Sequence, residues 1–108
     1  MAKVYLSLGS NIGPEKNLRR GVHELRQRFG DLALSDVYRN AAVGFEGDEF
    51  LNLVVGLETN DSPLTINEHI EEIHRIAGRQ RGEEKNSSRP LDIDLLLYDD
   101  LILDQPPL

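Results

Sequence analysis

The stretch Arg89–Asp100, RPLDIDLLLYDD, sets Leu91, Ile93, Leu95 and Leu97 in alternation with Asp92 and Asp94. On a β-strand successive side chains point to opposite faces, so residues two apart share one. The four aliphatics therefore define one face and the two aspartates the other. A strand buried on both faces has no place for carboxylates, because desolvating a charge is costly unless it is paired. The spacing predicts a sheet covered on one side only, with Leu91, Ile93, Leu95 and Leu97 toward the cover and Asp92 and Asp94 on the open side.

The rest of the chain supplies that cover. KVYLSLGS alternates in the same way, with Val4, Leu6 and Leu8 on one face. GSNIGPEKN reads as a turn-rich connection punctuated by Gly9, Asn11, Gly13 and Pro14. A helix is predicted over Glu15 to Phe29, with Leu18, Val22, Leu25 and Phe29 as its apolar stripe and Gly30 as its C-terminal stop. LALSDVYR reads as a second strand, NAAVGFEGDE as a loop, and FLNLVVGLET as a third strand. On that third strand Leu51, Leu53, Val55 and Leu57 oppose Phe50, Asn52, Val54 and Gly56. Ser62 is placed to cap a second helix and Pro63 suits its first turn. Ile66, Ile70, Ile73 and Ala77 form that helix's stripe, and Gly78 ends it. RQRGEEKNSS reads as a mobile polar loop before the aspartate strand, and Leu101–Leu103 as a short fifth strand. The order β-α-β-β-α-β predicts an α+β fold, an antiparallel sheet with both helices on one face, in one domain over residues 1–108.

Composition narrows the function. The chain has no cysteine, which excludes disulfides and thiolate metal sites. It has no apolar run long enough to span a bilayer, and its first residues lack the apolar core of a signal peptide, so a cytoplasmic location is expected. A net charge of -7 argues against nucleic acid and anionic membranes as partners. Charge is uneven, however: Arg75, Arg79, Arg81, Lys85 and Arg89 cluster just ahead of the aspartates. Such a cluster reads either as a solvated loop or as a site for a small anionic ligand.

Two like charges on one strand face raise each other's pKa unless something positive lies between them. Mg²⁺ suits them: it takes one or two carboxylates and completes its shell with water and phosphate oxygens. Arg89, at the end of the basic cluster, is of the type that holds nucleotide phosphates. The pattern thus points to metal plus phosphate. No Walker-type glycine loop is present. His23, His69 and His74 all fall on predicted helices; His69 and His74, five apart, do not share a face, which argues against zinc, and each reads most simply as a surface or boundary residue.

Together LSLGSNIG, FLNLVVGLET, GRQR and RPLDIDLLLYDD resemble, in matching order, the hydroxymethyldihydropterin pyrophosphokinase family of folate biosynthesis. The resemblance implies a ferredoxin-like fold and transfer of pyrophosphate from ATP to the hydroxymethyl group of a reduced pterin. It implies two Mg²⁺ ions held by Asp92 and Asp94, with Arg79 and Arg89 sharing the catalytic role. Arg79, Arg81, Arg89, Glu71, His74 and Leu95 would line the nucleotide, and Asn52, Phe50, Asn40, Ala41 and Val43 the pterin. ATP and the pterin are the expected partners, and the protein a monomer or weak dimer.

Some positions depart from the family's pattern. YRNAAVG stands where a Thr-x-Pro-type stretch is more usual, His74 where glutamate is common, and Asn86 and Ser87 where an aromatic residue and a glycine are frequent. The family continues past the last strand with a histidine-, arginine- and aromatic-containing segment, whereas this sequence stops at Leu108, so less than full activity is expected of it alone. Two rival readings share the same fold: a two-metal nucleotidyl transferase, and a divergent, non-catalytic binding module.

Overall fold

A computed structural model describes residues 1–40, 49–78, 90–99 and the backbone of 101–102. The elements run β1 (Ala2–Ser10), α1 (Pro14–Phe29), β2 (Ala33–Leu34), β3 (Tyr38–Asn40), β4 (Phe50–Thr59), α2 (Pro63–Ile76), β5 (Asp92–Tyr98) and β6 (Leu101–Ile102). The sheet order is β2-β4-β1-β5-β6, with β3 also paired to β4, and every pairing is antiparallel. If β2 and β3 are counted as one interrupted strand, this is the ferredoxin-like arrangement, in which the first and third strands pair at the centre.

The predicted second strand is broken in two. At the break Ser35 takes over the ladder: its N–H donates to the Val54 carbonyl at 2.9 Å, and its Oγ accepts from the Val54 N–H at 2.8 Å. A serine hydroxyl can stand in for a backbone acceptor, which satisfies β4 while the edge chain bends away.

The helices cover one face of the sheet. Val4, Leu6, Leu8, Leu53, Val55, Leu57, Leu91, Ile93 and Leu95 are all buried, together with Leu18, Leu25, Ile66, Ile70 and Ile73 from the helices. Burying one such side chain contributes about 1.5–3 kcal/mol, so this layer supplies the main driving force for the fold. Gly21 lets α1 approach closely, since a Cβ there would lie 3.1 Å from Leu8 Cδ2 and 3.2 Å from Leu91 Cδ2. The caps fall where the sequence puts them. Ser62 Oγ accepts from the Thr65 N–H at 3.2 Å, and Gly30, at φ 83°, donates its N–H to the Arg26 carbonyl.

One residue of the decisive stretch departs from its expected face. Leu6 pairs with Leu95 but Tyr5 pairs with Leu97, so β5 carries one extra residue, Leu96, at a bulge. A bulge shifts the alternation by one position. Leu97 therefore turns to the open face beside Tyr5. Tyr98 takes its place on the core side, packs against the apolar cluster and donates its hydroxyl to the Asp61 carbonyl at 2.9 Å.

Candidate active site

β1 is the middle of the site because it pairs with β4 on one side and β5 on the other. The registers bring residues into rows across the sheet. Gly9 lies opposite both Asp92 and Asn52, and Asn52 in turn opposes Tyr38. Ser7 lies opposite both Asp94 and Val54, and Phe50 opposes Asn40. Residues directly opposite one another share a face. Asp92, Asp94, Ser7, Gly9, Asn52, Phe50, Tyr38 and Asn40 are thus all on the open face. Strands are spaced about 4.8 Å apart, so the Asp92 and Asn52 backbones stand roughly 10 Å from each other with Gly9 between them.

Gly9, which the sequence places both at the end of the first strand and at the start of the turn-rich connection, is a buried residue of β1. Its missing side chain makes room for its neighbours. A Cβ there would come within 2.8 Å of Asn52 Oδ1 and 3.7 Å of Phe50 Cδ1, so both side chains lie over the β1 backbone. A glycine inside a strand signals a bulge or a close approach, and this one marks the approach. Just beyond it, Ser10 Oγ and Asn17 Nδ2 both donate to the Ile12 carbonyl, at 3.1 and 2.6 Å. Gly13 adopts φ 49° there, and together these turn the chain from β1 into α1.

Asn52 carries the most informative atom of the site. Its Nδ2 is buried and, among the described residues, has no hydrogen-bond partner. Leaving a buried donor unsatisfied costs about 1–3 kcal/mol, which a ligand acceptor placed there recovers. The amide therefore suits a flat, hydrogen-bonding ring laid over Gly9, with Phe50 alongside for stacking.

Asp92 is half-buried and Asp94 exposed on the same face, as the alternation requires. Among the described residues, no three His, Cys, Asp or Glu side chains converge on one point. Carboxylate oxygens are hard donors, which suit Mg²⁺ completed by water and phosphate better than a closed zinc cage.

The other residues named from the sequence fall as follows. Leu95 is buried in the core, so only its backbone faces outward. Glu71 is exposed on α2, its Oε1 3.7 Å from His74 Nδ1. His74 is no surface residue: it is 5% exposed, and its Nε2 accepts from the Ile93 N–H at 2.9 Å. His23 is exposed, whereas His69 is half-buried and packs edge-on against Phe29 at 5.2 Å between ring centroids. Ala41, Val43, Arg79, Arg81 and Arg89 lie outside the described residues, as does the predicted polar loop.

A cavity of about 560 Å³ lined by Lys3, Tyr5, Phe29, Ala33, Gly56 and Glu58 opens at the far end of the sheet, where the Tyr5 ring crosses Gly56. It holds neither the aspartate pair nor the orphan amide, so the site is placed by its chemistry and not by concavity.

An open-faced ferredoxin-like sheet with two carboxylates and a buried, unpartnered amide among its described residues is an arrangement compatible with a phosphoryl-transfer class of protein. The family model for 7,8-dihydro-6-hydroxymethylpterin-pyrophosphokinase (HPPK) matches residues 5–108, and the chain belongs to that family. It is 41% identical over 103 residues to a 2-amino-4-hydroxy-6-hydroxymethyldihydropteridine pyrophosphokinase of Porphyromonas gingivalis, covering 91% of this chain and 70% of that one. It is 34% identical over 105 residues to the Aquifex aeolicus protein of that name, covering 95% of this chain but 65% of the relative. A Pseudomonas putida protein of that name is 32% identical over 109 residues, covering 98% and 90%. Among the described residues, no helix is long and apolar enough to cross a membrane.

Proposed function

We propose that this protein transfers the pyrophosphoryl group of ATP, with Mg²⁺, to the hydroxymethyl oxygen of a reduced pterin and releases AMP, a cytoplasmic step of folate biosynthesis. The observation that carries this reading is the Asn52 amide, in the same row as Asp92: its Oδ1 lies over Gly9, and its buried Nδ2 has no hydrogen-bond partner among the described residues. Asn52 would hold the pterin by its ring edge and Phe50 would stack beside it. That orientation sends the hydroxymethyl group along the row toward β5.

Asp92 and Asp94 would hold the two ions, which supply charge neutralisation for the phosphates when bound. The chain's own task is placement. The hydroxymethyl oxygen forms a bond to the β-phosphorus as the bond from that phosphorus to the α,β-bridging oxygen breaks. The hydroxyl proton passes to solvent water, and the electron pair of the broken bond leaves with AMP. In-line transfer of this kind depends on holding both substrates at fixed separation, and a rigid sheet row provides it. Arg79, Arg81 and Arg89 are the cations proposed for the phosphates, and Ala41 and Val43 for the pterin's outer edge.

Calorimetry tests the reading. The chain is titrated with α,β-methylene-ATP, with and without Mg²⁺, and then with 6-hydroxymethylpterin. Mg²⁺-dependent nucleotide binding is expected, lost in Asp92→Ala. Pterin binding is expected to weaken roughly tenfold in Asn52→Ala, the worth of one strong hydrogen bond. Nucleotide binding with no pterin binding would favour a nucleotidyl transferase. Binding of neither would leave a non-catalytic module.

A further inference from the structure

His74 stands where the metal-binding strand meets the second helix, and its environment assigns it more than packing. β5 has two edges. One is paired to β1 along Asp92–Tyr98, while the other, among the described residues, meets β6 at Leu97 and Tyr98. Among the described residues the Ile93 N–H therefore has no strand partner on the outer edge. It is met instead by His74 Nε2 at 2.9 Å, a buried contact from α2. An imidazole nitrogen that accepts is unprotonated, so the proton sits on Nδ1, which faces Glu71 Oε1 at 3.7 Å. The Ile93 side chain, 2% exposed, is fixed in the core. Residue 93 is thus held at both its amide and its side chain.

We propose that His74 is a positioning residue for the Asp92–Asp94 pair, acting through the Ile93 amide. The peptide plane that ends in the Ile93 nitrogen begins at the Asp92 carbonyl carbon, and Asp94 follows Ile93 directly. Fixing that plane fixes the directions in which both carboxylates leave the strand. Metal ligands depend on partners that orient them, and such a site tolerates about 0.5 Å of error. Without His74 the described residues would hold the upper part of β5 on its β1 edge alone. The inference rests on the reading that Asp92 and Asp94 hold the metal.

The test compares His74→Leu, which removes the acceptor, with His74→Gln, which keeps one at similar reach. Three quantities are read on the whole chain: Ile93 amide hydrogen exchange, affinity for Mg²⁺ with α,β-methylene-ATP, and affinity for 6-hydroxymethylpterin. In His74→Leu, faster Ile93 exchange and roughly tenfold weaker metal–nucleotide binding are expected, the low end for orienting partners of metal ligands, with pterin affinity unchanged. His74→Gln is expected to restore both. Circular dichroism checks that each variant is folded. A folded His74→Leu that binds metal–nucleotide like the unsubstituted chain overturns the proposal. If His74→Leu does not fold, His74→Gln decides: a folded Gln variant with a protected Ile93 amide but tenfold weaker metal–nucleotide binding also overturns it. If Asp92→Ala binds like the unsubstituted chain, the metal-site reading itself fails and takes this role with it. Loss in Asp92→Ala with none in His74→Leu overturns the role of His74 alone.

Discussion

The two faces of this sheet share one backbone and obey opposite rules. On the covered face every central position of β1, β4 and β5 is a buried aliphatic, and the chemistry is interchangeable provided volume is kept. On the open face the same three strands carry Gly9, Ser7, Asn52, Asp92 and Asp94, which contribute little to the core. Each of those open-face residues sits at a fixed register position. The covered face decides whether the protein folds. On the function proposed above, the open face decides what it binds, and it can be specialised because the helices pack on the other face.

This division is sharpest at Leu6, fully buried at the centre of β1. Leu6→Ala should cost about 3 kcal/mol, the transfer energy plus the cavity left behind, read as a lower urea midpoint. The residual folded protein should keep its ligand affinities. A Leu6→Ala protein of unchanged stability would break the comparison.

The converse is expected at Gly9. Gly9→Ala puts a Cβ against Asn52 Oδ1, the movable end of a side chain, so the fold yields and the amide is displaced. The midpoint should move by less than about 1 kcal/mol, the ordinary range for a substitution that breaks no core contact. Affinity for 6-hydroxymethylpterin should fall roughly tenfold as the Asn52 hydrogen bond is lost. Unchanged pterin affinity would mean that Asn52 does not read the ligand.

The helix layer offers two smaller effects. Ser62→Ala removes the cap on the Thr65 amide and should cost about 1 kcal/mol of stability, with no change in ligand affinity. On the outer surface Arg28 of α1 bonds both Glu72 and His69 of α2. The Arg28 guanidinium, by hydrogen bond and by charge, holds the Glu72 carboxyl below its ordinary value. A carboxyl whose pKa is lower folded than unfolded binds fewer protons in the folded state. Its contribution is complete above the unfolded value and lost as pH falls through the folded one. Glu72→Gln should therefore lower stability slightly at neutral pH, leave it nearly unchanged below the folded value, and so flatten the acid limb of the stability–pH curve, as checked by urea unfolding at the two limits. Glu72 is solvent-exposed, so this is the smallest of the four effects.

Much of this was legible in the sequence because period-two alternation reports burial directly. Asp92 and Asp94 could be placed on the open face from spacing alone, and so could Asn52 and Phe50 on theirs. The helix stripes, Ser62 and Gly30 were equally plain, since caps and periodicity are local. Gly9 fits both the end of an alternating strand and the start of a turn, because a glycine beside Ser, Asn and Gly looks like turn punctuation. Its role as the floor beneath Asn52 arises from a neighbouring strand that the sequence does not place.

The sequence by itself determined which residues share a face, where the helices begin and end, and that two carboxylates stand together on one strand. These follow from backbone geometry over a few residues. Only the tertiary structure decided register. It set Asp92, Gly9 and Asn52 in one row, turned Leu97 outward through a one-residue bulge, and brought His74 from α2 onto the Ile93 amide. Register and helix docking are fixed by contacts between residues far apart in the chain, whose energies depend on packing volume and unmet hydrogen bonds. No local pattern carries that information.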